Sequence, residues 1–148
     1  PTDKGTPKMA PRFRLCHVGY LVKDMSEADV LCDRLGYVPE SEAVEDEIQT
    51  ARVRLLRQPG SDTRIEVIMP LGQAGKLTGA LSKGGGLHHM CYEVDDLDGA
   101  RRHLRDRGML EISAPTPAAA FDGRRIAWFM DRGAMLIELL ESEGGAGE

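Results

Sequence analysis

The 148-residue chain lacks the features that mark secreted and membrane proteins. It contains only three cysteines and no Cys-x-x-Cys pair, which fits a reducing compartment better than a disulfide framework. No apolar run approaches the length of a membrane span, and no charged, apolar and small-residue signal opens the sequence. We therefore expect a cytoplasmic protein with no membrane partner.

The chain also lacks the excess of positive charge that nucleic-acid-binding domains carry. Its 19 Lys and Arg residues are outnumbered by 24 Asp and Glu residues, so the formal net charge is -5. Arginines cluster only at residues 101–107, where they alternate with acidic residues on a predicted helix. Because this pattern is typical of a solvated face, we expect no nucleic-acid partner.

What the chain does contain is an internal repeat. A shift of 72 residues superimposes His17 on His89 and Glu66 on Glu138, and the alignment around the histidines runs for ten residues without a gap. Such self-similarity indicates two copies of one structural unit. Because one small unit cannot bury its own sheet face, we expect the copies to pair about a pseudo-twofold axis. Equivalent positions then converge near that axis.

The hydrophobic pattern of each half predicts a strand, a helix and three further strands. Alternation in the first strand places His17 and Gly19 on one face, and Gly36 is a C-cap for the first helix. The same alternation turns His88 away from the face of His89, so we expect His88 to be a packing residue or to support a ligand. The predicted elements are strand 14–22, helix 28–35 and strands 37–44, 50–56 and 64–69, then helix 76–82, strand 87–94, helix 97–107 and strands 109–113, 124–130 and 135–141.

The ends of the chain differ in composition from the two halves. Residues 1–12 are rich in Pro, Lys, Thr and Gly, and residues 142–148 are Gly-rich and acidic, so we expect both to be disordered. Between them we expect a single domain, residues 13–141. Its predicted divisions are module one at about 13–70, a connector at 71–86 and module two at about 87–141.

The two His–Glu pairs are candidate ligands for one divalent metal ion. Imidazole and carboxylate groups bind Co, Ni, Mn, Zn and Fe(II), and four such ligands leave about two octahedral positions for a bidentate oxygen substrate. The alternative is that His17 and His89 are core residues and that Glu66 and Glu138 face water. Because all four occupy matched positions, we favour the metal site, without distinguishing among these metals.

Over residues 13–141 the chain resembles the vicinal oxygen chelate, or glyoxalase-like, superfamily of metalloenzymes. Segment 86–96, with the sequence GLHHMCYEVDD, is most similar to methylmalonyl-CoA epimerases, as are segments 65–71, 123–126 and 136–139. The resemblance implies an α+β fold in which two tandem βαβββ modules, related by a pseudo-twofold, form a curved mixed sheet around a shared metal cavity. It also implies a homodimer.

The resemblance further implies a metal-dependent isomerase or epimerase with His17, Glu66, His89 and Glu138 as the metal ligands. Two substrate oxygens chelate the ion in such enzymes, and Glu138 or Glu66 is the candidate base that removes and returns a proton at the adjacent carbon. A small-molecule acyl thioester resembling methylmalonyl-CoA is the favoured substrate. Its 1,3-dicarbonyl group both chelates a metal and acidifies the central proton.

Two features depart from the epimerase pattern. Val53 occupies the position at which some epimerases carry a further acid, and loop 130–134 is shorter than the family's His-Pro-Lys loop. A reaction in secondary metabolism is therefore one of the possibilities that the sequence leaves open. The alternatives are a glyoxalase I-like lyase and, from a different class, a metal-free drug-binding protein of the bleomycin-resistance type.

Overall fold

The structure is a computed structural model that describes residues 11–72, 76–133 and 135–143, so residues 1–10 and 144–148 of the predicted disordered ends lie outside it. None of the helices it describes is long and apolar enough to cross a membrane. The helices are α1 (Glu27–Leu35), α2 (Lys76–Ser82), α3 (Leu97–Asp106) and a 3-10 helix (Ala119–Phe121). The strands are β1 (Arg14–Leu21), β2 (Val38–Pro39), β3 (Val44–Asp46), β4 (Ala51–Arg57), β5 (Arg64–Pro70), β6 (Gly86–Val94), β7 (Leu110–Pro117), β8 (Arg125–Met130) and β9 (Leu136–Glu141).

All of these strands belong to one mixed sheet, at whose centre β1 and β6 pair antiparallel. On one side β5 lies parallel to β1, and on the other β9 lies parallel to β6. Each half continues outward with antiparallel strands, β4 on β5 and β8 on β9. The path is β2-β4-β5-β1-β6-β9-β8-β7, with β3 also pairing with β4. The predicted α+β fold of two repeated modules about a pseudo-twofold is therefore confirmed.

The two faces of the sheet bury different sets of side chains. The face covered by α1 and α3, the helix face, contains the buried residues Val22, Ala28, Leu56, Val67, Val94, Leu97, Ala100, Ala127, Phe129, Ile137 and Leu139. The opposite face, the cavity face, contains Leu21, Ala51, Val53, Leu55, Ile68, Leu77, Cys91, Ala118, Phe121, Ile126 and Leu140. Because alternate residues of a strand point to opposite faces, Glu66 and Glu138, next to Val67 and Leu139, point to the cavity face.

The outer part of module one differs from the prediction. The sequence predicts one strand at 37–44, whereas the structure has two short strands, β2 and β3, which pair with opposite ends of β4. Residues 40–43 belong to neither strand. β2 ends at Pro39, which has no amide hydrogen to donate, and only the Glu40 N–H still bonds to the β4 backbone, at 2.8 Å from Leu55 O. In module two the equivalent segment is a single strand, β7, which extends beyond the predicted 109–113 to Pro117.

Leu139 offers a test of the packing on the helix face. Its side chain is 0% exposed, so Leu139→Ala removes packed apolar volume and should lower the free energy of unfolding by about 2–5 kcal/mol. Leu87→Ala is the matched control, because Leu87 also lies on a strand but is 80% exposed, and its expected change is below about 0.5 kcal/mol. Urea denaturation measures both variants, and equal losses would contradict this assignment of the core.

Candidate metal centre

Four strands each contribute one ionisable side chain to the cavity face near the pseudo-twofold. His17 lies on β1, Glu66 on β5, His89 on β6 and Glu138 on β9. The antiparallel pairing of β1 with β6 brings the two imidazoles together, and the parallel strands β5 and β9 add one carboxylate from each side. The structure thus brings together all four residues that the repeat singles out.

The nitrogen and oxygen atoms of this cluster approach one another closely. His17 Nε2 is 3.1 Å from His89 Nε2 and 3.1 Å from Glu138 Oε1. His89 Nε2 is 3.0 Å from the same carboxylate oxygen. Glu66 Oε1 lies 3.4 Å from His17 Nε2 and 3.6 Å from His89 Nε2. The four side chains are between 0% and 7% exposed, so the cluster is shielded from bulk solvent.

These separations and donor types fit a divalent metal ion. Ligand atoms about 2.1 Å from a shared ion lie roughly 3.0–3.4 Å apart in octahedral or tetrahedral geometry. The nitrogen and oxygen atoms of the cluster are separated by 3.0–3.6 Å. Two imidazoles and two carboxylates are suitable ligands for several first-row metals, and the two negative charges balance a divalent ion. The four residues could therefore hold one metal ion.

Without a metal ion, the same groups stabilise one another as ion pairs. Burial lowers the pKa of His17, but the charge of Glu66 and the hydrogen bond with Glu138 help to outweigh it and hold that pKa well above its ordinary value. Burial raises the pKa of Glu138, but hydrogen bonds with His17 and His89 outweigh it and hold that pKa far below its ordinary value. The metal-free cluster therefore contains a protonated His17 beside an ionised Glu138.

His88 and Trp128 fix the ring of His89. His88 Nδ1 is 2.8 Å from His89 Nδ1. Burial, together with the charge of His89, lowers the pKa of His88 to about 4, so a neutral His88 can accept the hydrogen bond that His89 Nδ1–H donates. This arrangement leaves the lone pair of His89 Nε2 free for a metal. The Trp128 ring meets His89 edge-on at a centroid distance of 4.7 Å, and its indole N–H donates to Gln49 Oε1 at 3.2 Å.

The position of His88 departs from simple alternation along the strand. Gly19 pairs with His89 and Tyr20 pairs with Leu87, so His88 is an extra residue in a β-bulge. A bulge redirects side chains locally, and bulges are frequent beside active sites. His88 consequently lines the same cavity as His89, which the period of two did not predict. The structure supports the expectation that it assists a ligand.

The surroundings of His17 are different. The ring of Phe121 stacks on its imidazole with a centroid distance of 5.5 Å and an interplanar angle of 6°. Its Nδ1 atom is buried and has no hydrogen-bond partner among the described residues. The thiols of Cys16 and Cys91 lie beside the ring, and their sulfur atoms and one His17 ring nitrogen are all within 4.8 Å of one another. His17 and His89 are equivalent in the repeat, but the residues that surround their rings are therefore different.

A cavity of about 470 Å³, measured to its open mouth, lies on this face of the sheet. Glu66, His89 and Glu138 line it, whereas His17 is enclosed behind Phe121. The remaining lining residues are Asp46, Gln49, Ala51, Val53, Ile68, Leu77, His88, Ala118, Ala120, Phe121, Ile126 and Trp128. Val53, at the position where some epimerases carry an acid, thus presents an apolar side chain to the cavity.

Asp46 and Gln49 are cavity residues that the sequence analysis did not predict. The Asp46 carboxylate accepts hydrogen bonds from the backbone N–H groups of Gln49 at 3.0 Å and Ala119 at 3.1 Å, and so ties the β3–β4 turn to the 3-10 helix. Gln49 accepts from Trp128 and donates to Thr116 Oγ1 at 3.3 Å. Polar residues are ordinary in turns, so nothing in the sequence marked these two.

The fold and the cluster define a protein of paired βαβββ modules with a two-histidine, two-glutamate centre on a shared sheet face. The sequence model of the Glyoxalase/Bleomycin resistance protein/Dioxygenase superfamily matches residues 16–128. The chain belongs to this superfamily, as the sequence analysis predicted.

Within the superfamily, the chain is similar to methylmalonyl-CoA epimerases. The ethylmalonyl-CoA/methylmalonyl-CoA epimerase of Cereibacter sphaeroides is 34% identical over 53% of this chain, and the match spans less than two thirds, 61%, of that relative. The mitochondrial methylmalonyl-CoA epimerase of Homo sapiens is 30% identical over 94% of this chain and 80% of its own length. The crystal structure of methylmalonyl-CoA epimerase from Mycobacterium tuberculosis superposes with a TM-score of 0.78 and 32% identity, covering 86% of this chain and 87% of that chain. These comparisons relate the chain to epimerases rather than to glyoxalase I enzymes or drug-binding proteins.

Gly19 provides the space that His89 occupies. The two residues pair across the central strands, and a Cβ atom at Gly19 would overlap the His89 imidazole. We expect Gly19→Ala to displace this ring and weaken metal binding about 10- to 100-fold, as loss of a ligand-orienting contact does. Gly79→Ala is the control, because an added Cβ meets no atom within 4 Å there. Metal titration of both variants measures the effect, and equal affinities would refute the steric role of Gly19.

Metal binding should release protons. Because the pKa of His17 lies well above its ordinary value, its ring is protonated near neutral pH, and Nε2 can bind a metal only after losing that proton. We expect about one proton to be released per ion near neutral pH, and an apparent affinity that falls as the pH is lowered. Calorimetric titration in buffers with different ionisation enthalpies measures this release. A binding enthalpy that is the same in every buffer would contradict the expectation.

Proposed function

We propose that the protein is a metal-dependent epimerase of an acyl thioester, with methylmalonyl-CoA as the favoured substrate. The observation that carries this proposal is the convergence of two His–Glu pairs at one cavity, because it supplies a metal site and two carboxylates in the same place. The similarity to methylmalonyl-CoA epimerases over most of the chain supports the substrate class.

In this proposal His17, Glu66, His89 and Glu138 hold one divalent ion. When bound, the ion supplies Lewis acidity, which lowers the energy of negative charge on the substrate's carbonyl oxygens. His88 accepts a hydrogen bond from the Nδ1–H group of His89, which keeps the Nε2 atom of His89 available as a ligand atom. Burial of the cluster excludes water and strengthens each of these electrostatic contacts.

Glu138 is the proposed base. Its carboxylate takes the proton from the carbon between the two carbonyl groups, the electron pair of the C–H bond is delocalised over those groups, and a proton returns to the opposite face of the carbon. Glu66 occupies the equivalent position on the other side of the pseudo-twofold. It lies 3.4 Å and 3.6 Å from the imidazole nitrogens. Because its position is equivalent to that of Glu138, we assign proton transfer at the second face to Glu66.

The cavity suits the acyl part of such a substrate. Its lining is mainly apolar, with Glu66, His89 and Glu138 at one place. Its described lining contains no lysine or arginine, so the phosphate groups of a coenzyme A carrier have no cationic partner within it. We infer that the acyl group lies inside the cavity and that the carrier extends from the mouth.

The assembly and location of the protein remain predictions from the sequence. We expect a homodimer, by similarity to the superfamily, and a cytoplasmic location. Three cysteines, Cys16, Cys32 and Cys91, are free thiols in the structure, which is compatible with a reducing compartment.

Exchange measurements on the two separate substrate epimers test the roles of the glutamates. Glu138→Gln and Glu66→Gln preserve side-chain size and remove the basic carboxylate. We expect Glu138→Gln to slow exchange of the α-proton with deuterium from solvent by about 10²–10⁴-fold for one epimer, and Glu66→Gln to do so for the other. Metal content is measured in the same samples, since both residues are also proposed ligands.

Glu45→Gln is the matched control. Glu45 also lies on a strand of module one, but its side chain is 49% exposed and pairs with Arg52, so exchange should be unchanged. A Glu138→Gln protein that retains its metal and exchanges both epimers at the wild-type rate would overturn the role of Glu138. A metal-loaded wild-type protein that exchanges no methylmalonyl thioester would overturn the proposed substrate.

A further inference from the structure

The two metal-ligating histidines of the proposed centre differ in what lies behind them. Cys16 is the repeat equivalent of His88, and Cys91 is the repeat equivalent of Gly19. Behind His89, the Nδ1 atom has a partner in His88 at 2.8 Å. Behind His17, the buried Nδ1 atom has no hydrogen-bond partner among the described residues, and two thiols lie nearby instead.

The backbone directs both thiols to this place. His17 pairs with Cys91, which sets the Cys91 thiol beside the imidazole on the cavity face. Leu15 pairs with Tyr92, so Cys16 is the extra residue of a β-bulge that is equivalent to the bulge at His88. The bulge lets Cys16 pack against the same apolar cluster as Cys91, although it neighbours His17 in sequence.

We propose that Cys16, Cys91 and the Nδ1 atom of His17 form a second metal site, which binds a thiophilic d¹⁰ ion such as Zn²⁺ or Cu⁺. Their sulfur atoms and a His17 ring nitrogen lie within 4.8 Å of one another, and Nδ1 is the ring nitrogen that the glutamates leave free. Both sites use His17, but the two thiolates and the position behind the His17 ring distinguish this site from the first.

The chemistry of the ligands separates the two sites. Two thiolates and one imidazole select soft ions, whereas the first centre offers nitrogen and oxygen only. Three ligands satisfy a trigonal Cu⁺ ion, and Zn²⁺ requires one further ligand, for which a water molecule beside the half-buried Cys16 is the candidate. Cys91 is 0% exposed, so its thiolate is stable there only beside a compensating cation.

The two sites share one imidazole through opposite nitrogens. When His17 Nε2 binds an ion in the first centre, Nδ1 carries a proton, and the second ion can bind only as this proton passes to solvent. The two thiols lose their protons to solvent in the same way, because thiolates rather than thiols bind metals.

Cobalt titration of the reduced, full-length protein tests the proposal. Co²⁺ substitutes for Zn²⁺, and a bound thiolate gives an intense sulfur-to-cobalt charge-transfer band that nitrogen and oxygen ligands do not give. We expect wild-type protein to bind two equivalents of Co²⁺, to develop this band, and to lose it when Zn²⁺ is added. Cys16→Ser and Cys91→Ala should each abolish the band and reduce binding to one equivalent.

Cys32→Ser is the matched control, because Cys32 is a free thiol of intermediate burial on α1, outside the cluster, and its variant should keep the band. Circular dichroism confirms that each variant is folded. If Cys91→Ala unfolds because its side chain is fully buried, Cys16→Ser, with its half-buried side chain, still gives a decisive result. A band that survives Cys16→Ser, or that disappears in Cys32→Ser, would overturn the proposal.

The failure of this proposal is distinguishable from the failure of the proposed function. Glu138→Gln weakens the first centre and should leave the thiolate band in place; loss of the band in that variant would show that the thiols do not hold an ion of their own. Binding of one equivalent of Co²⁺ without any thiolate band would refute the second site, while the nitrogen–oxygen centre and the epimerase proposal stand. A disulfide between Cys16 and Cys91 that resists reduction would likewise refute it.

Discussion

The antiparallel pairing of β1 with β6 is the constraint on which the rest of the site depends. It sets Gly19 opposite His89 and Cys91 opposite His17, which turns both imidazoles to the cavity face. The parallel strands β5 and β9 extend the sheet from this pair, so its register also determines where the carboxylates arrive. Because the side-chain period of a strand is two, a slip of one residue would move one histidine to the helix face and separate the cluster.

The stability of the fold does not explain the buried cluster of two histidines and two glutamates. Burying two histidines and two glutamates costs free energy that can exceed the gain from their ion pairs, and apolar residues of similar volume often stabilise a core as well or better. The fully buried side chains of the helix face, including Leu56, Phe129 and Leu139, stabilise the sheet instead. A metal ion, by contrast, gives all four groups a partner and balances their charge, which favours a functional explanation for residues in such a costly position.

The repeat made much of this site predictable from the sequence, because one offset identifies both His–Glu pairs and implies their convergence at a pseudo-twofold. Alternation and capping then predict most strands and the end of α1 at Gly36, which has a left-handed φ of 76°. Local irregularities were not predictable. The break between β2 and β3, the bulges at Cys16 and His88, and the contacts of Asp46 and Gln49 depend on pairing between distant segments, which a period of two or 3.6 does not encode.

The two proposed glutamate bases occupy equivalent positions, whereas the residues around the two histidines differ. The first feature suits proton transfer, and the second suits orientation of the substrate in the proposed reaction. An epimerase must transfer a proton at both faces of one carbon, and Glu66 and Glu138 flank the pseudo-twofold in equivalent positions. The surroundings of the two histidines nevertheless differ, since Phe121 stacks on His17 while His88 and Trp128 line the cavity beside His89. In the proposed reaction each of these equivalent carboxylates would serve one face of the carbon, whereas the unlike surroundings of the two histidines would hold the rest of the substrate in one orientation.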